Sequence, residues 1–267
     1  QFFMFLYNFL KKTVKFLFPE RILDSVKKVH YLKTLEHFKI EYEKDLIFVN
    51  KLVKEGDFVI DVGANIGVYT KYLSKYVGPK GNVLSIEPIL STYNYLTNNV
   101  KKMELKNVNT LNIALSNDSS SVRFQIPSGP SGQNYFRARI VTNDIAKRNS
   151  TLIVNAVRLD DLIKKDNQKM SFIKIDVEGY EYYVLLGAMN TIDSFKPSLL
   201  IEVEGDPSEK NSKAEQVFNL LKSRSYEPYI VLNERLKKWA VGERAFNYFF
   251  LRENHLKMIN NSPNTTL

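Results

Sequence analysis

From about Tyr42 onward, short continuous apolar runs alternate with stretches whose apolar residues recur every three or four positions. Asp57-Phe58-Val59-Ile60-Asp61-Val62-Gly63 reads as a buried strand ending in a glycine turn. Ile66–Val77 reads as the helix after it, stopped by Gly78-Pro79. Asn82–Ile86 is a second strand closed by Glu87-Pro88; a helix begins at Ser91, and a third strand covers Val108–Leu115. VRFQIP adds a β-type run before Pro127–Ser150, whose Gly, Pro, Ser and Asn content predicts a long loop or insertion. Next come LIVNAVRL, the short helix DDLIKK and two strand-into-turn segments, SFIKIDVEG and SLLIEVEGD, joined by the helix YEYYVLLGAMNTIDSF. SKAEQVFNLLKSRS is helical, EPYIVL and NYFFL are late strands, and NNSPNTTL is a polar, fraying end. Strand–helix units repeated with short connections predict an α/β fold, a mostly parallel sheet with helices on both faces.

Composition narrows the chemistry. With 267 residues, 44% hydrophobic and 12% aromatic, the chain can bury the core of one domain and is not a disordered polymer. Cysteine is absent, which excludes a disulfide framework, a thiolate nucleophile and cysteine-ligated zinc. That absence fits a cytoplasmic location without establishing it. Only His30, His37 and His255 occur, so a Ser-His-Asp relay inside the central region has no imidazole to use. No spacing dictates a metal site, and no apolar run is long enough to predict a transmembrane helix.

The net charge of +9 is uneven: residues 1–40 hold eight Lys/Arg against three Asp/Glu, a local +5, and the other 227 residues carry +4. Residues 1–18, QFFMFLYNFLKKTVKFLF, join an aromatic run to lysines. They predict either an interfacial helix on an anionic membrane surface or a helix that packs on the main domain or mediates self-association. Charge follows the apolar run, the reverse of a signal peptide. The aromatics are clustered and not interleaved with the basic residues, so no nucleic-acid partner is expected. The oligomeric state is left open.

The most informative local pattern is VIDVGANIG, at the first strand–turn–helix unit, where an open α/β sheet binds its cofactor. Gly63, Asn65 and Gly67 allow close backbone approach at a helix start. A dinucleotide fingerprint fails because Asn65 stands where the second glycine is required. The turn instead suits S-adenosylmethionine (SAM), with Asp61 at the strand end to meet the methionine part. Glu87, 24 residues beyond Gly63 at the next strand end, can accept both ribose hydroxyls.

The ordered series VIDVGANIGVYT, IEP, NIALSN, VRLDDL, FIKIDVEGYE with VLLGA, and IEVEG, from about Glu41 to Phe250, resembles the FkbM-type methyltransferase family. The resemblance implies a SAM-dependent O-methyltransferase with a Rossmann-like class I methyltransferase fold. Its doubly wound sheet would have seven strands, mostly parallel, the last antiparallel, here with an N-terminal helical leader at 1–40, a methyltransferase domain at 41–254 and a polar tail at 255–267. It further implies that Asp61, Gly63, Asn65 and Gly67 wrap the methionine part, that Glu87 holds the ribose and that Ala114, Leu115 and Ser116 lie against the adenine. Asp160 matches a family position, where it either reaches the cofactor or caps the helix after it. Acceptors of such enzymes are hydroxyls of glycans, lipid-linked sugars and small metabolites.

Asp176 and Glu178 lie two apart at one strand end, and Glu202 and Glu204 repeat the arrangement at another. Neighbouring strands, as in the family's sheet order, would bring these carboxylates to the cofactor crevice. With no histidine available, the solution is a carboxylate that takes the hydroxyl proton, or a divalent ion held by the carboxylates that lowers the hydroxyl's pKa. Glu178 or Glu204 is the expected base and Asp176 a positioning group. The alternatives are that Glu178 caps a helix, that Glu204 is solvated, and that the whole chain is a methyltransferase-fold scaffold or membrane-associated protein without catalysis. Arg137 and Arg139 in the insertion are candidates to hold an acidic sugar or a phosphate. The location consistent with all this is cytoplasmic, with peripheral contact at the inner membrane surface.

Overall fold

Helix α1 (Glu20–Glu36) and a 3-10 turn at Ile40–Tyr42 lead into α2 (Asp45–Leu52). Then come β1 (Phe58–Val62), α3 (Val68–Val77), β2 (Asn82–Ile86), α4 (Leu90–Lys102), β3 (Val108–Leu111) and β4 (Ala114–Leu115). The next segment supplies β5 (Ser121–Gln125), β6 (Ser128–Gly129), β7 (Gly132–Gln133), β8 (Arg139–Ile140) and β9 (Thr151–Val157). The chain continues through α5 (Leu159–Leu162), β10 (Met170–Ile175), α6 (Glu181–Leu186), α7 (Met189–Phe195), β11 (Ser198–Glu202) and α8 (Lys213–Lys222). It closes with β12 (Glu227–Leu232), β13 (Arg235–Lys238), β14 (Asn247–Leu251) and α9 (Glu253–Asn261). This computed structural model describes residues 20–129, 132–133, 138–140, 151–163 and 169–261. Residues 1–18, expected at a membrane surface, Arg137 of the insertion and the end of the polar tail lie outside the described residues.

The main sheet has the order β13-β12-β14-β11-β10-β1-β2-β3. β3, β2, β1, β10 and β11 are mutually parallel, and β14 runs antiparallel between β11 and β12. The Rossmann-like class I arrangement with a last antiparallel strand is therefore present, with one correction: β13 makes eight strands in place of seven. Asn233 and Glu234 both adopt left-handed φ (49° and 62°), which makes the two-residue turn that folds β13 back on β12.

The side chains explain why this sheet is covered on both faces. Ile60, Val62, Ile86, Ile173, Ile175, Leu199 and Ile201 point to one side and are buried under α6, α7 and α8. The alternate residues Val59, Val83, Phe172 and Leu200 face α2 and α3. Further along that second face the same alternation becomes polar: Val59 gives way to Asp61, Val83 to Ser85 and Phe172 to Lys174, all buried. Strand periodicity thus carries the charged groups to the carboxyl edge without breaking the opposite apolar face.

Three local differences from the sequence pattern have physical causes. The run Val108–Leu115 divides because Asn112 turns its amide onto the carbonyls of Glu87 and Pro88, at 2.9 Å each. β4 then leaves the main sheet for a small one of order β4-β9-β5-β8. The segment read as a loop, Pro127–Ser150, therefore contributes β8 to this sheet, which packs Val122, Phe124 and Ala138 over Ile89. The helix Tyr180–Phe195 breaks at Gly187, where a Cβ would stand 1.9 Å from the Ser116 carbonyl oxygen. Past Asn254, α9 buries His255 and Ile259 and packs against α2.

Candidate active site

At the carboxyl edge, the strand ends and the small sheet enclose a cavity of about 780 Å³ including its mouth, within the range of small-molecule sites. Its wall runs from Ile113, Ala114 and Leu115 past Glu87 and the Gly63–Asn65 turn to Asp176, Glu178 and Glu202, with Phe124, Ala138 and Ile140 of the small sheet above. Gly63 is the hinge of this construction. Its φ of 76° suits glycine, and a Cβ there would lie 1.8 Å from the Asp176 carbonyl oxygen. Only a hydrogen at this position lets the β1 turn sit against the end of β10.

Asn65 also takes a left-handed φ of 53°, and its N–H donates to Glu87 Oε2 at 3.0 Å. Ile89 N–H donates to Glu87 Oε1 at 2.9 Å, so the carboxylate is fixed across the cavity wall with lone pairs to spare. Burial pushes this carboxyl up to about 7, although both amides work the other way. Asn65 Oδ1 and Thr92 Oγ1 are buried in the same wall without a partner among the described residues. Buried polar atoms of this kind call for a bound polar ligand or water. An acid, two orphan polar atoms and an apolar slot fit the ribose and base of SAM.

Not every expected cofactor contact reaches the wall. Asp61 lies beneath it, fully buried, with Thr70 Oγ1 donating to Oδ2 at 2.6 Å and Lys174 Nζ 3.7 Å from Oδ1. Burial raises its proton affinity in spite of Lys174. Gly67, with φ 102°, packs against Leu96 at the start of α3 and supports the turn from behind. Ser116 shares its hydroxyl with Tyr180, which lines the cavity, at 3.2 Å. Asp160 is turned away from the cavity: its Oδ1 accepts from Thr191 N and Oγ1 at 2.8 Å each, and its Oδ2 from Asn190 N at 3.1 Å. It caps α7 and is absent from the cavity wall; it lies inside α5, whose N-cap is Arg158.

The carboxylates meet as the strand spacing requires. Ile175 and Ile201 are in register, so Asp176 and Glu202 stand side by side beyond them. Lys174 Nζ lies 3.0 Å from Asp176 Oδ2 and 4.8 Å from the Tyr69 ring centre. Burial opposes the charge of Lys174, yet Asp176 and Asp61 outweigh it and raise its proton affinity. Glu178 has a left-handed φ of 54° and is followed by Gly179 at 92°. Glu204 is half exposed and outside the cavity wall, bound by Arg139 of β8 at 3.0 Å; the same guanidinium is 3.9 Å from Glu178. Glu181 accepts from Gly179 N–H at 2.8 Å, and burial raises its carboxyl to about 7.

Lys174, Glu181 and Thr92 were not singled out from sequence. Lys174 could have been, because it precedes Asp176 by two and so shares its face. His255 is no base for this site. It sits at the amino end of β11, receiving Arg252 N–H on Nδ1 and bonding the Lys196 carbonyl through Nε2, at 3.1 Å each. Burial depresses it to about 4, so it is a neutral structural group.

A mostly parallel sheet with the antiparallel β14 inserted between β11 and β12, and a glycine turn facing a strand-end acid, define a class I SAM-dependent methyltransferase. The family model described as methyltransferase FkbM domain matches residues 61–228, and the chain belongs to that family. It is 28% identical over 204 residues to hexuronic acid methyltransferase AglP of Haloferax volcanii, covering 76% of this chain and 77% of that one. It is 24% identical over 176 residues to methyltransferase 1 of Beauveria bassiana, covering 59% and 70%. A solved FkbM methyltransferase from Methylobacillus flagellatus aligns with TM-score 0.48 and 18% identity over 73% of this chain and 43% of that one. The chain thus spans less than half of that structure's length. Its cofactor is SAM.

Proposed function

We propose that the chain transfers a methyl group from SAM to a hydroxyl of a sugar, whether in a glycan, a lipid-linked sugar or a smaller metabolite. When bound, SAM supplies an electrophilic methyl carbon on a sulfonium. The protein's part is to hold it through Gly63, Asn65, Glu87, Ala114 and Leu115, and to receive the proton that the hydroxyl loses. The observation that carries this reading is that Asp176, Glu178 and Glu202 open onto the same cavity as the Asn65–Glu87 cradle. An oxygen nucleophile needs a base there, and carboxylates are the groups at hand. The hexuronic acid specificity named for the Haloferax relative supports a sugar acceptor.

The test is calorimetry of the full chain with S-adenosylhomocysteine, followed by methyl transfer from labelled SAM to uronic acid glycosides and neutral glycosides. Binding together with methyl transfer to oxygen is expected. Binding without transfer would favour the scaffold reading.

One observation favours a second property, contact with a membrane surface on its cytoplasmic side. Ile22, Val26 and Val29 are exposed along one stripe of α1, directly after the aromatic and lysine-rich residues 1–18. Among the described residues no helix is long and apolar enough to cross a membrane. Flotation with anionic vesicles is expected to carry the full chain and to lose it when residues 1–18 are removed.

A further inference from the structure

We propose that Glu202, and neither Glu178 nor Glu204, is the base that takes the acceptor's proton. The inference rests on the hydroxyl-methylating reading above. Each of the other strand-end carboxylates already has a cation near it. Asp176 is held by Lys174 at 3.0 Å, and Glu204 by Arg139 at 3.0 Å outside the cavity wall. Glu178 faces the same guanidinium at 3.9 Å. Each of these carboxylates is thus turned toward a cation and not left open to a hydroxyl.

Among the described residues, Glu202 has no cation within ion-pairing distance, and Lys174 acts on it only from further away. Glu202 lines the cavity, and among the described residues its carboxylate accepts no hydrogen bond. Its register partner on β14, Asn247, turns its amide to Asp45 at 2.8 Å instead. From β10 and the turn beyond it, Asp176, Glu178 and Glu181 all present negative charge toward Glu202, against the single cation Lys174. Burial, followed by Asp176, keeps its proton to about pH 7. That matches the requirement for a general base working near neutrality, where affinity and availability are balanced.

In the step, the hydroxyl proton passes to a Glu202 oxygen as the hydroxyl oxygen bonds to the methyl carbon. The electron pair of the broken carbon–sulfur bond stays on sulfur, and Glu202 later returns the proton to water. Charge and atoms balance with no further reactant.

The experiment uses the full chain and its Glu202→Gln, Glu202→Asp and Glu178→Gln variants. Calorimetry with S-adenosylhomocysteine should give affinities within about two-fold of one another, which certifies the fold and the cofactor cradle. Carbon-13 carboxyl spectra of the S-adenosylhomocysteine complex should contain one resonance that titrates near pH 7 and is missing from Glu202→Gln. Methyl transfer to whichever glycoside the wild type accepts should fall at least about 100-fold in Glu202→Gln and by less in Glu202→Asp and Glu178→Gln. A Glu202 resonance titrating in the ordinary carboxylate range overturns the proposal. So does a Glu202→Gln variant that keeps pace, or a greater loss in Glu178→Gln. A wild type that binds S-adenosylhomocysteine yet methylates no hydroxyl overturns the underlying reading and the base assignment with it.

Discussion

The turns that follow β1 and β10 sit side by side, both built from left-handed residues, and they do opposite work. After β1, Gly63, Asn65 and Gly67 fold the chain so that backbone and small polar groups face the cavity, and Glu87, the acid that lines the wall beside them, is clamped by two amides. After β10, Glu178 and Gly179 fold the chain so that whole carboxylates face it, loosely held by Lys174 and Arg139. A turn that must grip a cofactor spends its side chains and uses the main chain. The other turn presents side-chain carboxylates, each facing a cation, beside Glu202 at the end of the neighbouring strand. The strain of left-handed residues is tolerated in both because the packed strands beneath over-determine it.

The sharpest way to break the comparison is to put a methyl group on each turn. Gly63→Ala would drive a Cβ into the Asp176 carbonyl at 1.8 Å, an immovable backbone atom. We expect a loss of at least ~3 kcal/mol in denaturant unfolding, enough to leave little native protein. At Gly179 the Cβ would meet only the tip of the Glu204 side chain at 2.7 Å, which can swing away. Gly179→Ala should therefore cost just the left-handed penalty, ~1–2 kcal/mol. Equal losses at the two sites would mean that the turns are not built differently.

The acids give the next effect, in the pH dependence of stability. Burial raises the Glu87, Glu181 and Glu202 carboxyls to about 7 from an ordinary 4.5. The native state then binds more protons than the unfolded state between those values, so stability is highest below the window and falls as pH rises through 7. His255, held down to about 4 from 6.5, pulls the other way, costing stability as pH falls from 6.5 to 4. With Asp45, which burial raises to about 7 from 3.8, four groups against one leave the thermal midpoint higher at pH 5.5 than at pH 8. Glu181→Gln should flatten that difference. A midpoint that rises with pH would contradict the buried, proton-holding site.

Glu87→Ala and Glu178→Gln then separate the turns by ligand affinity. Removing Glu87 strands the Asn65 and Ile89 amides and loses the ribose partner, so S-adenosylhomocysteine affinity should fall about 10- to 100-fold, ~1.4–2.8 kcal/mol by calorimetry. Glu178→Gln should stay within about two-fold.

Much of this division was legible in the chain, for reasons that also explain what was not. Strand period and glycine placement announce Gly63, Asn65, Glu87 and Asp176, because each depends on neighbours within a few residues. Lys174 sits in an apolar run, and its meaning lies in the register that sets it opposite Asp61 on a strand more than a hundred residues earlier. Asp160 lies in the first turn of α5, yet its partners are Asn190 and Thr191 at the start of another helix. β13 reads as polar and turn-like because its pairing depends on two left-handed residues with no glycine between them. Local pattern reports what a strand end carries; which cation each acid receives is a property of sheet order.

The smallest effect is the most discriminating. Glu178 holds a left-handed φ of 54° at a cost of ~1–2 kcal/mol, which Glu178→Gly would relieve. The extra freedom of glycine in the unfolded chain returns ~0.5–1 kcal/mol of that, and the 3.9 Å approach of Arg139 to a partly exposed carboxylate is worth little. Glu178→Gly should accordingly be neutral or stabilising by up to ~1 kcal/mol in denaturant unfolding, while methyl transfer declines. A residue whose removal stabilises the fold and slows the reaction is kept for the reaction. If the variant is instead destabilised by more than ~1 kcal/mol, Glu178 is a structural brace, and the contrast between the two turns fails at this residue.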